Sequence, residues 1–271
     1  MNPTASAAVI LASMGLVALL ESAIPLHARG RWGRAHVGPN LALTLITFAT
    51  NGVMNVALVL ALIWFQERDL GLLNAVVLPP LAALAVVLLA LDFSFYVAHV
   101  AMHKRPGLWR FHAVHHSDPE VDVTTTIRQH PGEGLIRYAF LGVFALALGS
   151  SPGAFAVYRI ATALVGLLEH ANLRAPLALD RALALVTTWP YMHKLHHSRA
   201  KAQTDSNYGN LFSVWDRLFG TYTPSRLGTT VCYGLDGLDE PDTQTTRGLL
   251  ALPFRDATSE PAPRASALRA R

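Results

Sequence analysis

The length of its apolar runs constrains this chain more than any other feature. A helix that crosses a hydrocarbon core about 30 Å thick needs about 20 mainly apolar residues, and three early runs reach that length. Two later runs are slightly shorter and are joined by Ser150-Ser151-Pro152, which predicts a tight helical hairpin that enters the membrane. The five runs are residues 5–26, 41–65, 73–100, 134–149 and 153–168.

Composition agrees with a membrane protein. Only 15% of the residues are charged, whereas a soluble domain usually carries about 25%. The net charge of +4 is spread over an apolar chain, which favours basic cytoplasmic loops over a nucleic-acid-binding surface. We therefore expect neither an ordinary soluble enzyme, nor a disordered chain, nor a nucleic-acid partner. The single cysteine, Cys232, excludes an internal disulfide and a thiolate metal site.

The basic residues predict the orientation. None precedes the first run, so this run is predicted to span the membrane rather than to be a cleaved signal peptide. Because basic loops stay in the cytoplasm, residues 29–34 and 104–110 are expected inside, and the N-terminus and residues 67–69 outside. Everything from His99 onward, apart from the hairpin tip, then lies at the cytoplasmic side. Only three of the 22 basic residues are lysines, which is typical of a GC-rich bacterial genome and favours a bacterial inner membrane.

Histidine is the residue that points to chemistry. Ten of the 12 histidines lie in one region, as HxxxH at 99–103, HxxHH at 112–116, HxxHH at 193–197, and the lone His130 and His170. On a helix, residues three or four apart lie on one face about 5–6 Å from each other, so each motif can direct two or three imidazoles at one place. Imidazole binds Zn, Cu, Fe and Ni. These histidines are too many for one tetrahedral ion, and the spacing predicts a pair of metal ions.

Other interpretations of these motifs are less consistent with the sequence. A metal-buffering tract would be contiguous and of low complexity, whereas these histidines are spaced within aromatic, helix-forming sequence. The Glu-x-x-His pattern of soluble di-iron bundles and the HExxH of zincin proteases are absent from the sequence. The G-x-S-x-G at residues 149–153 lies at the hairpin tip, and we interpret it as a turn rather than a nucleophile elbow.

In this order and on this topology, the three motifs resemble those of the fatty acid hydroxylase/sterol desaturase superfamily of integral-membrane di-iron enzymes. Further matches lie at residues 111–118, 128–133, 169–172, 192–198, 204–209 and 215–222. The resemblance covers about residues 75–255, and the first 70 residues match only in being membrane-spanning. The first motif has three intervening residues, as in the sterol-oxidase branch, whereas acyl-chain hydroxylases and desaturases usually have four. This departure weakens any specific prediction of a fatty acyl substrate.

The resemblance also implies which residues bind the metals. The nine implied ligands are His99, His103, His112, His115, His116, His170, His193, His196 and His197. His130 is the tenth candidate, and a place behind the ligands or a helix-cap role is equally open for it. The lone His27 and His36 lie among the arginines of the first cytoplasmic loop and are expected to be interfacial loop residues.

A metal-bound imidazole usually donates its other N–H to a carboxylate or a carbonyl. The candidates for this role are Asp92, Asp118, Asp122, Glu169, Asp205 and Asn207. Asp118 fits a helix-end cap at least as well. Asp92 is a lone acid at the end of an apolar run, where such a group is expected to have a partner.

The resemblance implies an all-α integral membrane fold with about four transmembrane or hairpin helices and a cytoplasmic cap that carries the histidines. It implies O2-dependent oxidation of an aliphatic C–H bond in a lipid (sterol-like, hopanoid, carotenoid or acyl), by hydroxylation or desaturation. Two iron ions that cycle between Fe2+ and Fe3+ and the co-substrate O2 are the implied cofactors. No flavin, nicotinamide or Fe–S motif is present in the sequence, so an external ferredoxin, rubredoxin or cytochrome b5-type donor is expected.

Three regions and two alternative functions complete the expectations. Residues 1–72 are predicted to form an N-terminal transmembrane region, residues 73–255 the catalytic domain, and residues 256–271 a disordered basic tail. Residues 177–189 carry apolar side chains at helical spacing, which predicts an amphipathic helix in the membrane interface. The alternatives are a zinc-dependent membrane hydrolase and a metal transporter, whose histidines would lie at mid-membrane depth rather than just past the span ends.

Overall fold

The computed structural model describes residues 3–30, 32–238 and 240–255, so the predicted tail at 256–271 lies outside the described residues. The described part contains no strand, and its only β-type pairing is an isolated bridge between Pro25 and Leu173. The predicted all-α fold is therefore confirmed. The α-helices are α1 (Pro3–Ala23), α2 (Val37–Gln66), α3 (Pro80–Lys104), α4 (Pro106–His116), α5 (Pro131–Leu148), α6 (Pro152–His170), α7 (Leu177–Leu183), α8 (Pro190–His196), α9 (Lys201–Thr204), α10 (Val214–Leu218) and α11 (Thr246–Ala251). Short 3-10 helices cover Val123–Ile127, Ser225–Thr230, Pro241–Gln244 and Leu252–Phe254.

Four helices of the described chain, α2, α3, α5 and α6, are long and apolar enough to cross a membrane. Helix α1 is also apolar, but its described apolar part, Ala8–Ala23, is shorter. The outer faces carry large aliphatic side chains such as Leu45 and Leu60 of α2, which are 71% and 61% exposed. Such continuous apolar exposure suits contact with lipid rather than with water. The chain is thus an integral membrane protein, as predicted.

The membrane helices pack into one bundle. Helix α5 lies against α2 and α3, and α6 packs against α3 and α1. The bundle core is aliphatic and aromatic and consists of Leu58, Leu62, Val87, Leu91, Tyr138, Leu141, Ala145, Phe155 and Tyr158. Between helices in a bilayer, such side chains stabilise the bundle through van der Waals packing, since lipid is as apolar as the core.

The predicted hairpin is confirmed as α5 and α6, and its turn has a local cause. Gly149 ends α5 with φ 66°, a left-handed conformation that glycine adopts without steric cost. Ser151 then caps α6, because its Oγ accepts the N–H of Ala154 at 3.2 Å. Pro152 occupies the first turn, where its missing N–H costs nothing. The serine of the G-x-S-x-G string is thus occupied as a helix cap.

A buried polar layer joins the N-terminal helices to the histidine-bearing segments. The guanidinium of the fully buried Arg128 donates to Val114 O at 2.9 Å, Asn40 Oδ1 at 2.7 Å and Gln244 Oε1 at 2.7 Å. Each of these acceptors belongs to a different helix. Because an unpaired buried guanidinium would be costly, these bonds hold α2, α4 and the segment before α11 in one arrangement. Glu21 of α1 makes a similar tie, since its Oε1 accepts the N–H groups of Val123 and Asn172 at 2.8 and 2.6 Å.

The expectation that His36 is an interfacial loop residue is wrong. Its side chain is 1% exposed, its Nδ1 lies 3.0 Å from Asp118 Oδ1, and its Nε2 lies 3.5 Å from Asp122 Oδ2. Sequence alone could not show this, because the two carboxylates are more than 80 residues away along the chain. His36 is therefore part of the buried polar layer that joins α2 to the segment after α4.

We expect His36→Ala to lower the free energy of unfolding by about 3–5 kcal/mol, because it removes the imidazolium that is paired with two buried carboxylates. Burial opposes protonation of His36, but the negative charges of Asp118 and then Asp122 outweigh burial and the nearby positive charge of Arg128. The pKa of His36 is therefore raised above the ordinary value of histidine. A raised folded-state pKa means that this stabilisation is fully present below about pH 6.5 and is lost as the pH rises through the folded-state pKa. Thermal unfolding in detergent between pH 5.5 and 9 measures this, and a wild-type advantage that does not fall with rising pH would contradict it.

The predicted amphipathic helix at 177–189 is shorter than expected, since α7 ends at Leu183. The carbonyl of Ala184 accepts hydrogen bonds from Ser213 Oγ and from the Arg217 guanidinium, both at 2.8 Å. These bonds satisfy the carbonyl from outside the helix and bend the chain toward α8. Exposed Leu185 and Val186 follow, so the apolar surface continues along a turn.

Candidate metal centre

The histidines of the sequence motifs come together where the membrane helices meet the short helices. Helix α3 contributes its last two turns, α4 contributes one trio, α8 contributes the other together with its cap residue His197, and α6 contributes its last residue. The potential ligand atoms form two groups, within each of which they lie within 4.8 Å of one another. The five-histidine group consists of His99, His103, His112, His116 and His196, and the four-histidine group consists of His115, His170, His193 and His197.

Each HxxHH motif divides between the two groups. Its first and last histidines, four residues apart, enter one group, and the middle histidine enters the other. On a helix the middle residue is rotated about 60° to one side of the first, and the last is rotated about 40° to the other. Helix α4 gives two rings to the five-histidine group and one to the four-histidine group, whereas α8 does the reverse. Both groups are therefore built on the same two short helices.

Backbone carbonyls orient the rings. The Nδ1–H groups of His99, His170 and His196 donate to the carbonyl oxygens of Tyr208, Gly166 and Ser206, each at 2.8 Å. The Nδ1–H of His115 donates to Arg128 O at 3.2 Å. Because a carbonyl only accepts hydrogen bonds, the proton of each ring is on Nδ1, and Nε2 presents a lone pair.

These lone pairs point at one another. The Nε2 atoms of His99 and His112 lie 3.0 Å apart, and those of His115 and His170 lie 3.1 Å apart. In the His115–His170 pair both protons are on Nδ1, so neither Nε2 can donate a hydrogen bond and the two lone pairs repel unless both bind a cation. The buried Nε2 of His196 has no hydrogen-bond partner among the described residues. The donor set therefore fits one metal ion in each group.

Burial keeps these rings neutral. Desolvation lowers the pKa of every imidazole of the two trios well below the ordinary value. Repulsion between neighbouring imidazoles lowers these pKa values further. The six imidazoles are those of His112, His115, His116, His193, His196 and His197. A neutral imidazole has the free lone pair that metal binding requires.

Glu133 supports the five-histidine group and was missed in the sequence. The Oε1 atom of this fully buried carboxylate lies 3.1 Å from His112 Nδ1 and accepts from the Arg137 guanidinium, whose Nη2 lies 2.7 Å away. A carboxylate behind a ligating histidine sets its tautomer and raises its basicity. The signal that could have revealed it is a Glu–Arg pair four residues apart at the start of an apolar run, because each charge is more stable there with the other beside it.

We expect Glu133→Gln to lower metal affinity or activity about 10–100-fold, the usual cost of losing such a supporting group. The amide oxygen can still accept from Arg137, but the negative charge beside His112 is gone. Metal retention during dialysis against a chelator, compared with Glu67→Gln at the exposed end of α2, measures the effect. Equal retention in the two variants would contradict a supporting role for Glu133.

Lys194 of α8 connects this helix to the end of α6 through a hydrogen bond. Its fully buried ammonium, between His193 and His196 in sequence, donates to His170 O at 2.6 Å and to Val121 O at 2.7 Å. Burial lowers the pKa of Lys194 to about 8. The side chain therefore holds α8 against the end of α6.

Two of the predicted supporting acids, Asp205 and Glu169, lie near histidines of the two groups but at different distances. Asp205 Oδ1 is 3.5 Å from His103 Nδ1, and Lys104 lies 3.0 Å from the other oxygen. His103 and Lys104 hold the pKa of Asp205 below its usual range. Glu169 Oε1 is 3.8 Å from His170 and 3.9 Å from His193, too far for a hydrogen bond.

The other predicted residues contact different parts of the chain. Asp92 accepts from two backbone N–H groups and from Trp215 Nε1, and Asp118 binds Asn40, Thr125 and His36. Asp122 caps the 3-10 helix that follows it. Asn207 donates to Met192 O and Thr223 O and so fixes the loop behind α8. These four residues position elements of the site from outside the two histidine groups.

His130 also lies outside both groups. Its Nδ1 accepts the N–H of Gly132 at 2.9 Å, which caps the start of α5, and its Nε2–H donates to Leu250 O at 3.2 Å. Both ring nitrogens are thus used in hydrogen bonds. The helix-cap interpretation agrees with this geometry.

A cavity of about 180 Å³ connects the histidines to the membrane bundle. His99 of the five-histidine group and three rings of the four-histidine group line it, together with apolar residues such as Phe48, Phe95 and Leu141. Phe48 belongs to α2, so the region predicted as a separate N-terminal part contributes to the cavity wall.

A family model for fatty acid hydroxylase matches residues 84–221, just over half of the chain. Together with the two histidine groups, this match defines the class: the chain belongs to the fatty acid hydroxylase family, and the resemblance seen in the sequence is confirmed.

Several curated proteins are similar over the same region. The chain is 35% identical to the ornithine lipid hydroxylase OlsE of Rhizobium tropici over 51% of this chain and 41% of that protein. It is 31% identical to the alkylglycerol monooxygenase of Caenorhabditis elegans over 53% and 28% of the two chains. It is 33% identical to a cholesterol 25-hydroxylase-like protein of Danio rerio over 51% and 54%. The match thus spans less than two thirds of each relative, and no solved structure matches this chain.

Proposed function

We propose that this protein is a membrane-bound, O2-dependent di-iron oxidoreductase that hydroxylates or desaturates an aliphatic C–H bond of a lipid. The observation that carries the proposal is the pair of histidine groups whose Nε2 lone pairs converge beside a cavity in the membrane bundle. The relatives are named as hydroxylases and monooxygenases, one of them of a lipid. An aliphatic substrate partitions into the bilayer and can enter such a site laterally.

The nine histidines of the two groups would hold the metals, and His130 is left out of the proposed ligand set. Two iron ions, when bound, would supply the activation of O2 needed to oxidise an unactivated C–H bond. Five candidate ligands in one group exceed the four-coordinate shell of zinc sites, which favours iron and speaks against the zinc hydrolase. His99 and His103 lie in the last two turns of α3 and His170 ends α6, which speaks against a transporter with mid-membrane ligands.

The protein's own side chains have separate tasks. Phe48, Phe95 and Leu141 would hold the aliphatic chain and exclude water, while the Glu133 carboxylate, 3.1 Å from His112 Nδ1, would support that ring as a ligand. We propose residues 73–255 as the catalytic domain, with residues 1–72 supplying one cavity wall through α2.

Electrons would enter from a ferredoxin, rubredoxin or cytochrome b5-type donor. The half-buried Trp109 ring lies 5.0 Å from His103 and 5.4 Å from His116. Lys104, Arg105 and Arg110, close to Trp109 in sequence, are exposed. This basic edge suits an acidic donor protein, because complementary charge accelerates association.

The test is the lipid profile of cells with and without the gene, followed by turnover of the accumulated lipid by purified, iron-loaded protein with a chemical reductant. The proposal expects a product heavier by one oxygen, or lighter by two hydrogens, that forms only with O2. Products cleaved by water in the absence of O2 would support the hydrolase instead.

We further propose that the protein lies in a bacterial inner membrane with the N-terminus outside and the histidines at the cytoplasmic side. Reporter fusions after residues 30 and 68 are expected to report cytoplasm and exterior respectively, because arginines within residues 29–34 stay inside. The reverse result would overturn this orientation.

A further inference from the structure

Arg159 is a charged residue inside a membrane-spanning helix. It is the eighth of the 19 residues of α6, which places it about 10 Å from one end of the helix and about 16 Å from the other. A guanidinium at such depth is costly, and such residues usually face a cavity or a partner and serve function.

Arg159 has no carboxylate partner in the described part of the chain. Its guanidinium lies over the ring of Tyr138, 5.1 Å from the centroid. Arg137, on the neighbouring helix, differs because Glu133 neutralises it at 2.7 Å. Arg159 therefore offers hydrogen-bond donors and a charge that the described chain does not neutralise.

Arg159 also lines the cavity that reaches the histidines. Eleven residues separate it from His170, a rotation of about 20° on a helix, so both lie on one face of α6. Asn51 and Asn210 line the same cavity, and the Oδ1 atom of each is buried without a hydrogen-bond partner among the described residues. Because unpaired buried polar groups are rare in folded proteins, a polar part of a ligand belongs in this cavity beside the aliphatic part.

We propose that Arg159 binds an anionic group, a carboxylate or a phosphate, of the lipid that enters this cavity, so that the substrate class is anionic lipid. The inference rests on the proposed function for calling the ligand a substrate. Guanidinium pairs with both groups through two parallel charge-assisted hydrogen bonds. The anionic group then anchors one end of the lipid along α6 while its aliphatic part lies toward His170.

The test compares binding of radiolabelled hexadecanoate, hexadecyl phosphate and hexadecanol to the full-length protein in neutral detergent. The wild-type protein is expected to bind at least one anionic probe tenfold or more tightly than hexadecanol. Arg159→Gln is expected to reduce this preference to about parity with hexadecanol binding unchanged, which also shows that the variant is folded. The probe that loses affinity identifies carboxylate or phosphate as the recognised group.

The matched control is Arg68→Gln, because Arg68 also lies over an aromatic ring, that of Trp64 at 4.3 Å, but at the exposed end of α2. It is expected to keep the full preference. If Arg159→Gln also loses hexadecanol binding, the Arg159→Lys variant tests the proposal instead. Lysine keeps the positive charge but cannot form two parallel hydrogen bonds, so the preference for the anionic probe should fall several-fold. The proposal would be overturned if Arg159→Gln kept the full preference for the anionic probe. The same holds for Arg159→Lys if that variant is the one used.

This binding experiment requires no turnover, so it separates the two proposals. Oxidation of a neutral lipid by a protein without anionic preference would overturn the role of Arg159 and leave the proposed function standing. An Arg159-dependent preference in a protein that oxidises no lipid would do the reverse.

Discussion

His196→Ala is expected to reduce lipid oxidation to background. His196 contributes to the five-histidine group, its Nε2 has no hydrogen-bond partner among the described residues, and its ring is oriented by Ser206 O. Loss of a residue behind a ligand costs about 10–100-fold in affinity or activity, and loss of the ligand itself should cost at least as much. Product formation by purified protein with reductant and O2 measures the effect.

The control for this variant is His27→Ala. His27 is half-buried, packs on Tyr233 with ring centroids 5.7 Å apart, and lies outside both histidine groups. His36 does not serve as a control because it is paired with Asp118. Oxidation by His196→Ala at the level of His27→Ala would rule out the assignment of His196 as a ligand.

His197→Ala is expected to lower the metal content from about two ions per chain to about one. It leaves three histidines in the four-histidine group and all five in the other. His196→Ala, by contrast, leaves four histidines in each group and is expected to keep about two ions while losing activity. The two variants differ in expected metal content because the motif at 193–197 places His197 in the four-histidine group and His196 in the five-histidine group. Elemental analysis of protein from iron-replete cells measures it.

The matched control for metal content is His130→Ala, which removes an imidazole used as a helix cap. It should keep two ions and lose about 1 kcal/mol of stability. A single ion in the wild-type protein, or two in His197→Ala, would contradict the two-site arrangement.

The sequence predicts the membrane helices and the hairpin well, because their causes are local. Long apolar runs, a glycine and proline at the hairpin turn, and helical spacing of histidines act within a few residues of one another. The helices α5 and α6 accordingly start and end close to the predicted apolar runs. The end of α7 was harder to predict, because the carbonyl of Ala184 accepts a hydrogen bond from Arg217, which is distant in sequence.

Supporting residues were predicted less well, because they depend on neighbours that are distant in sequence. Glu133 meets His112 across a turn and a helix boundary, and no spacing rule links the two. Asp118 was a reasonable candidate by its closeness to the second motif, but its carboxylate points to Asn40 and His36. The direction of a side chain at a helix end depends on which helix packs against it.

The sequence by itself determined that this chain is helical, membrane-embedded and able to bind metals through histidine, since residue type and periodicity are sufficient for those properties. Tertiary structure alone decided how the histidines are shared. Each HxxHH motif has the same local geometry, and the placement of α4 and α8 against the ends of α3 and α6 decides which ring enters which group. The arrangement of the cavity beside Arg159 has the same origin, because its walls come from six α-helices, of which the sequence pairs only α5 with α6.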